Sequence, residues 1–181
     1  MKNVTIYVYP RQLINGIWLA IAGLSTLTLL IPLRTSSGVI PNPTLFVIIY
    51  SLGMFWQLNK RTRNKYALHK GSKKQNTWSN IGLLLLTAML VLATIPLVGQ
   101  KVLSASQIIL TWKMVFLAVG VHFLAFIPVH GKIMLVVSIL TVSNVLINYF
   151  FKLPINELLV VDGLLKISLG LVTIKISPTN F

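Results

Sequence analysis

The sequence contains no cysteine and only two acidic residues, Glu157 and Asp162. The absence of cysteine excludes disulfide bonds, thiolate metal sites and cysteine nucleophiles. The scarcity of acids leaves a single pair of carboxylates for acid–base catalysis. The sequence also lacks the HExxH and GxSxG patterns and a phosphate-binding Gly-Lys-Ser loop. We therefore expect a protein that is not an enzyme and that binds no metal and no other cofactor.

Long apolar blocks dominate the rest of the chain. Of its 181 residues, 55% are hydrophobic and 10% are charged, whereas ordinary globular chains carry about 25% charged residues. A helix needs roughly 20 apolar residues to cross about 30 Å of hydrocarbon. Six stretches reach or approach this length, and they cover residues 13–33, 43–58, 80–99, 108–128, 133–151 and 158–176. We predict an all-α polytopic membrane protein, in which residues 1–181 form one integral membrane domain with six transmembrane helices in one bundle.

The positive charges predict which ends of these helices face the cytoplasm. If the basic connection 59–79 is cytoplasmic, eleven lysines and arginines lie inside and three lie outside. The inner set is Lys2, Arg11, Lys60, Arg61, Arg63, Lys65, Lys70, Lys73, Lys74, Lys132 and Lys175, and the outer set is Arg34, Lys101 and Lys152. Such a bias follows the positive-inside rule. We predict a bacterial cytoplasmic membrane protein with both termini in the cytoplasm, and we expect the first apolar run to be retained because no small-x-small cleavage site follows it.

The formal net charge of +14 is, taken alone, compatible with a nucleic-acid partner. Because the charges are concentrated in the connection 59–79, we interpret them as an orientation signal and expect no nucleic acid to bind. The lipid bilayer is the expected partner. Each lysine or arginine near the inner leaflet contributes about 1 kcal/mol of attraction to anionic lipids. The connection therefore has an alternative interpretation as a docking site for anionic lipid headgroups, and no protein partner can be named.

A charged pair interrupts the last apolar stretch. Asp162 and Lys166 lie four residues apart, with the acid first, which is the favourable order for an ion pair within one helix. Gly170 and Thr173 continue the same helical face, and Gly163 borders it. A charge at the centre of a membrane helix costs about 2.5–3.5 kcal/mol on insertion scales. We therefore expect this stripe to point into the protein interior.

Polar side chains at a similar depth occur in the two preceding apolar stretches. We predict that Lys113, Asn144, Asn148, Asp162 and Lys166 converge on one polar pocket in the outer half of the membrane. Two lysines and one acid would favour a small or anionic ligand there. The alternative is structural: asparagines often join membrane helices, and a lysine side chain can extend to the interface on its own.

His122 lies nine residues after Lys113 and faces the opposite way. Its face also carries Ala118 and Ala125, a seam of small residues against which another helix can pack. We therefore expect His122 to make a hydrogen bond between helices and not to bind a metal. His69 and His130 are expected in loops.

Several short motifs in the second half carry a resemblance. They are Gly120-Val121-His122-Phe123, the turn His130-Gly131-Lys132, Asn144, and Asp162-Gly163 with Lys166. Together with the earlier Asn42-Pro43-Thr44, these motifs resemble an uncharacterised family of small bacterial multi-span membrane proteins. The resemblance implies helical spans and assigns neither an activity nor catalytic residues.

The predicted architecture, size and basic character are also similar to those of the S-components, which are the substrate-binding subunits of energy-coupling-factor vitamin importers. That resemblance implies a ligand near the outer face. Gly16-x-x-x-Ala20 matches their small-xxx-small pattern in the first helix, whereas Leu24 departs from it. A membrane interaction or immunity protein is a further alternative, and the sequence leaves these functions open.

Overall fold

The computed structural model describes residues 9–36, 38–68, 71–99 and 103–177. Lys2, His69, Lys70 and Lys101, which enter the predictions above, lie outside the described residues. The α-helices are α1 (Gln12–Thr28), α2 (Pro43–Leu58), α3 (Lys60–Tyr66), α4 (Lys73–Thr94), α5 (Ala105–His122), α6 (Ile127–His130), α7 (Ile133–Phe150) and α8 (Ile155–Ile176). Two short strands, β1 (Pro32–Thr35) and β2 (Gly38–Pro41), pair antiparallel, with Pro32 opposite Pro41.

The longer helices run back and forth between two ends of the bundle. At one end, which we call the basic end, residues 9–11, 57–68, 71–80 and 129–132 come together. There the backbone N–H of Leu68 donates to the carbonyl of Pro10 at 3.0 Å, and the Arg11 guanidinium donates to the Asn76 side chain at 3.3 Å. At the opposite end, which we call the hairpin end, Gly38 of β2 lies against Ala105 at the start of α5.

Helices α1 and α8 form the centre of the protein and pack with their backbones in direct contact. A methyl group added at Gly23 would lie 2.5 Å from the carbonyl oxygen of Gly163, and one added at Gly170 would lie 2.8 Å from that of Gly16. Glycine at these positions is what allows the two helices to approach so closely. The prediction that the stripe of α8 points inward is confirmed, because its members Asp162, Gly163, Lys166, Gly170 and Thr173 are all buried.

The first predicted span, 13–33, is too long. Helix α1 ends at Thr28, and the chain then turns into the β1–β2 hairpin. Pro32 has no backbone N–H to continue a helix, and Gly38 adopts a φ of +123° that suits glycine in the tight turn. The expectation of an all-α fold is confirmed, because helices make up nearly all of the described structure and the hairpin adds only two four-residue strands.

The described part of the connection 59–79 is mostly helical. The Asn59 side chain accepts a hydrogen bond from the backbone N–H of Arg61 at 2.7 Å and starts α3. Ser72 and Gln75 then form a reciprocal capping box that starts α4 at Lys73, seven residues before the predicted third span. Helix α4 ends at Thr94, and a 3-10 turn follows it.

The fourth predicted span, 108–128, consists of more than one element. Helix α5 ends at His122, a 3-10 turn covers Phe123–Phe126, and the short α6 completes the passage. Pro128 lies in the first turn of α6 and cannot donate to the carbonyl four residues earlier, so the preceding turn tightens. The predicted second span has the bounds of α2, and the last two spans lie within a few residues of α7 and α8.

Within the described ranges, three helical segments are long and apolar enough to cross a membrane: Lys73–Thr94, Ala105–His130 and Ile133–Phe150. The expectation of six such segments is therefore met only in part. Helices α1 and α2 have 17 and 16 residues, which corresponds to only about 24–26 Å of helix length. Helix α8 has 22 residues but carries Glu157, Asp162, Lys166 and Lys175.

Candidate functional site

The buried ion pair of α8 faces α1 and α5. Lys166 Nζ donates to Asp162 Oδ2 at 2.5 Å, and the two side chains are 4% and 0% exposed. The hydroxyl of Thr26 on α1 lies 3.5 Å from the same carboxylate oxygen. Lys166 Nζ also lies 5.0 Å from the centre of the Phe116 ring on α5, within the range of a cation–π contact.

Lys113 and the two asparagines make a different set of contacts, at the hairpin end. Asn144 Nδ2 donates to the Leu158 carbonyl at 3.0 Å, and Asn148 Nδ2 donates to the Pro154 carbonyl at 3.0 Å. Lys113 Nζ donates to the backbone carbonyl of Asn148 at 3.4 Å, where a cation also interacts favourably with the C-terminal end of α7. These side chains hold α5, α7 and the start of α8 together.

The five predicted residues do not line one cavity. Asn144 and Asn148 line a cavity of about 390 Å³ between α7 and α8, with Glu157 at its wall. Lys166 lines a separate cavity of about 40 Å³ between α1, α2 and α5. The structure therefore brings Lys113 close to Asn148 but does not bring these two to Lys166. Sequence spacing gives the depth of each side chain, whereas the direction in which each helix turns that side chain depends on the packing order.

His122, the last residue of α5, is buried, as expected. Its hydrogen bond, however, is not the predicted one between helices. Its Nδ1 lies 2.5 Å from the carbonyl oxygen of Val119 in the same helix, so this nitrogen does not bond another helix. Its ring packs against Phe123 and Phe126, with ring centres 4.5 and 5.5 Å away. His122 lines both the small cavity at Lys166 and a larger cavity at the basic end.

The cavity at the basic end has a volume of about 350 Å³ and is formed by α1, α2, α3, α4 and the α5–α6 passage. We call it the basic-end cavity. Its polar wall residues are Arg11, Asn15, Gln57, Arg63, Asn76, Ser79, Asn80, His122 and His130, and its aromatic wall residues are Trp18, Tyr50, Phe123 and Phe126. A volume of this size lies at the small end of the range found for small-molecule pockets, roughly 300–1,000 Å³.

Two arginines give this cavity its positive charge. Arg11 Nη2 donates to Asn76 Oδ1 at 3.3 Å, and Arg63 Nε donates to the Gln57 carbonyl at 3.2 Å. Burial, and to a smaller extent the nearby charge of Arg63, lower the pKa of Arg11 from its ordinary value. No acid lines the wall: Asp162 is paired with Lys166, and Glu157 lies in the cavity between α7 and α8. The positive charge of the basic-end cavity is therefore uncompensated by side chains.

His130 forms part of the same wall, although a loop position was expected for it. It ends α6, is 5% exposed, and stacks on Phe126 with ring centres 5.6 Å apart and planes 17° apart. Its Nδ1 is buried and has no hydrogen-bond partner. Such a buried, unsatisfied nitrogen is unusual in a folded protein and calls for an explanation.

Sequence reasoning missed this cavity because it treated Arg11 and Arg63 as orientation charges. The available signal was that two acidic residues cannot pair with sixteen lysines and arginines, so most of the basic side chains are left without an acidic partner. In the part of the chain that the structure describes, no three His, Asp or Glu side chains cluster as a metal site requires. The wall itself offers hydrogen bonding, charge and aromatic contact.

The described residues thus define a helical protein with three segments suited to a membrane and a positively charged cavity at one end of the bundle. The chain belongs to a family of unknown function, DUF6609, whose model matches residues 2–180. No curated protein and no solved structure matches the chain. Membership of an uncharacterised family agrees with the first resemblance, while its particular motifs and the bacterial origin stay predictions.

Proposed function

We propose that the protein is an integral protein of a bacterial cytoplasmic membrane and that α1, α2, α4, the α5–α6 passage, α7 and α8 all cross the bilayer. The alternation of these helices between the basic end and the hairpin end supports six crossings. The charges at the middle of α8 are no obstacle, because Asp162 and Lys166 are buried and do not meet lipid. The outer faces are apolar, as the exposed side chains of Leu52, Phe55, Leu84, Val91, Ile139, Phe150 and Leu171 illustrate. By the positive-inside rule, the basic end faces the cytoplasm.

The same proposal assigns the protein a function: it binds a small organic anion in the basic-end cavity. The observation that carries this is the pair Arg11 and Arg63 in a cavity wall without any acid. Guanidinium groups bind carboxylate and phosphate oxygens with paired hydrogen bonds. Burial and, to a smaller extent, the charge of Arg63 lower the pKa of Arg11, and an anion placed there would offset both effects because an opposite charge favours the charged guanidinium.

We further propose that the protein binds this anion without chemical turnover. Catalysis by paired carboxylates, or by a histidine oriented by an acid, needs an acid in the wall. The chain has only two acidic side chains, and Asp162 and Glu157 are both engaged or placed elsewhere. Binding, followed by transport or sensing, is therefore the function that this chemistry supports.

The test uses the full chain in nanodiscs of uncharged, zwitterionic lipid. Butyrate, cyclohexanecarboxylate and benzoate are titrated calorimetrically, each beside its uncharged amide. The acids are expected to bind and the amides are not. Because hydrogen bonds to charged groups contribute about 1.5–3 kcal/mol, Arg11→Gln and Arg63→Gln should each weaken acid binding by about tenfold or more.

Arg61→Gln is the matched control, because Arg61 lies in α3 with Arg63 but is exposed and does not line the cavity. It should leave acid binding unchanged. Equal losses in all three variants would indicate a nonspecific charge effect and contradict the proposal, as would amides that bind as tightly as acids.

The anionic group could also belong to a lipid, as the alternative interpretation of the connection 59–79 suggests. Discs that contain phosphatidylglycerol distinguish the two sources. If phosphatidylglycerol weakens acid binding to the original protein and does not weaken it in Arg63→Gln, the occupant is a lipid headgroup. If this lipid leaves the acid titrations unchanged, the occupant is a dissolved anion.

The S-component alternative has less support, because it implies a ligand near the outer face and the basic-end cavity is assigned here to the inner side. An interaction or immunity protein, in contrast, predicts that none of the acids binds and that a protein partner is captured by crosslinking.

A further inference from the structure

The basic-end cavity has two chemically different zones. At the basic end, its polar and charged side chains come from the start of α1, from α3 and from the first turns of α4, together with Gln57 of α2 and His130 of α6. Deeper in the cavity, its aromatic rings come from α1, from α2 and from the turn that follows α5, where His122 adds a further polar side chain. Arg11 and Trp18, seven residues apart on the same helical segment, mark the two zones, which lie about 10 Å apart along the axis.

The rings line the deeper zone from two sides. On one side, Trp18 of α1 and Tyr50 of α2 meet edge to face, with ring centres 4.7 Å apart and planes at 72°. On the other side, Phe126 and His130 form a stack of nearly parallel rings. A flat ligand between these walls contacts rings on both sides, in the stacked or edge-to-face arrangements that aromatic groups favour.

The Phe126–His130 stack also offers an unused hydrogen-bonding atom where it reaches the basic end. His130 Nδ1 is buried and has no partner, and His130 is part of the wall. A buried polar atom without a partner is costly, and a ligand that supplies the partner recovers that cost. A hydroxyl group fits this nitrogen in either tautomer of the imidazole, because a hydroxyl both donates and accepts.

We propose that the ligand of the basic-end cavity is an aromatic carboxylate with a polar ring substituent. Its carboxylate lies between Arg11 and Arg63, its ring lies between the two aromatic walls, and its ring substituent bonds His130 Nδ1. This inference rests on the proposed anion-binding function and adds the chemical class of the anion.

The test compares flat and saturated rings of equal charge on the full chain in zwitterionic nanodiscs. Benzoate and 3-phenylpropanoate are each titrated beside their cyclohexyl counterparts. Since aromatic pairs contribute about 0.5–1.5 kcal/mol beyond their buried area, the aromatic acids should bind about two- to tenfold more tightly. Tyr50→Leu should remove this preference for aromatic acids, and Trp18→Leu tests the same wall with a second substitution.

The second arm tests the ring substituent with 3- and 4-hydroxylated forms of both acids. At least one hydroxylated acid should bind about three- to tenfold more tightly than its parent. His130→Phe, which keeps a stacked ring and removes the nitrogen, should abolish that gain, so that the hydroxylated acid and its parent bind this variant equally tightly.

The outcomes separate the two proposals. Equal binding of aromatic and saturated acids, still dependent on Arg11 and Arg63, overturns the aromatic class and leaves anion binding intact. A hydroxyl gain that survives in His130→Phe overturns the role of His130. Absence of acid binding, or binding that does not depend on the arginines, overturns both the function and the ligand class.

Discussion

Replacing Lys166 with methionine removes the cation that contacts the carboxylate of Asp162. This carboxylate is fully buried, its Oδ2 contacts Lys166 Nζ at 2.5 Å, and its Oδ1 has no hydrogen-bond partner. Thr26 lies at 3.5 Å and is too distant to compensate for the lost ammonium group. Breaking a buried ion pair from one side costs about 3–5 kcal/mol, because an unpaired charge stays in the interior. We expect Lys166→Met to lower the free energy of unfolding by that amount.

Removing both charges should cost much less than removing one. The double variant Asp162→Leu with Lys166→Met replaces the pair with apolar groups of similar volume, an exchange that is often neutral or stabilising. We expect its free energy of unfolding to lie within about 1 kcal/mol of the original value or above it. Lys175→Met, at an exposed position of the same helix, is the control and should change stability by less than about 0.5 kcal/mol.

The assay is reversible unfolding by sodium dodecyl sulfate in mixed micelles, followed by tryptophan fluorescence. The reasoning is refuted if Lys166→Met is as mild as Lys175→Met, because the pair then has little energetic importance in the folded state. It is refuted equally if the double variant is as unstable as the single one, because the loss would then come from altered packing.

Two further predictions concern packing and orientation. Gly23→Ala should destabilise the protein by about 1–3 kcal/mol, because the new methyl group would lie 2.5 Å from the Gly163 carbonyl oxygen. The control is Gly71→Ala, whose methyl group would make only ordinary contacts and should have little effect in the same unfolding assay. Because the chain has no cysteine, a single introduced cysteine reports the orientation of the protein in the membrane. In intact cells, a membrane-impermeant maleimide should label Val39→Cys at the hairpin end and should not label Arg61→Cys at the basic end. The reverse labelling would contradict the proposed orientation.

The inward face of α8 could be predicted because it depends on one helix only. The spacing from Asp162 to Lys166 and on to Gly170 is set by the helical period, and the cost of exposing charge to lipid determines which way that face points. The bounds of α2 were equally accessible, since Asn42 and Pro43 provide a cap and a first-turn proline within the sequence itself.

The composition of the site could not be predicted, because it depends on which helices are neighbours. Thr26 and Asp162 meet across 136 residues of chain, and no local pattern announces that α1 packs against α8. The small-residue face of α1 continues from Ala20 to Gly23 and not to Leu24, which is exposed. With the packing order unknown, equal depth was taken for proximity: Lys113 does lie beside Asn148, but the two asparagines and Lys166 line separate cavities.

The glycine contact between α1 and α8 also has a consequence for biogenesis. During synthesis at about 5–20 residues per second, the 136 residues between Thr26 and Asp162 correspond to a delay of roughly 7–27 seconds. For that interval the first helix has been synthesised while its partner has not yet been translated. A nascent chain of this protein must therefore wait for its last helix before the bundle can close.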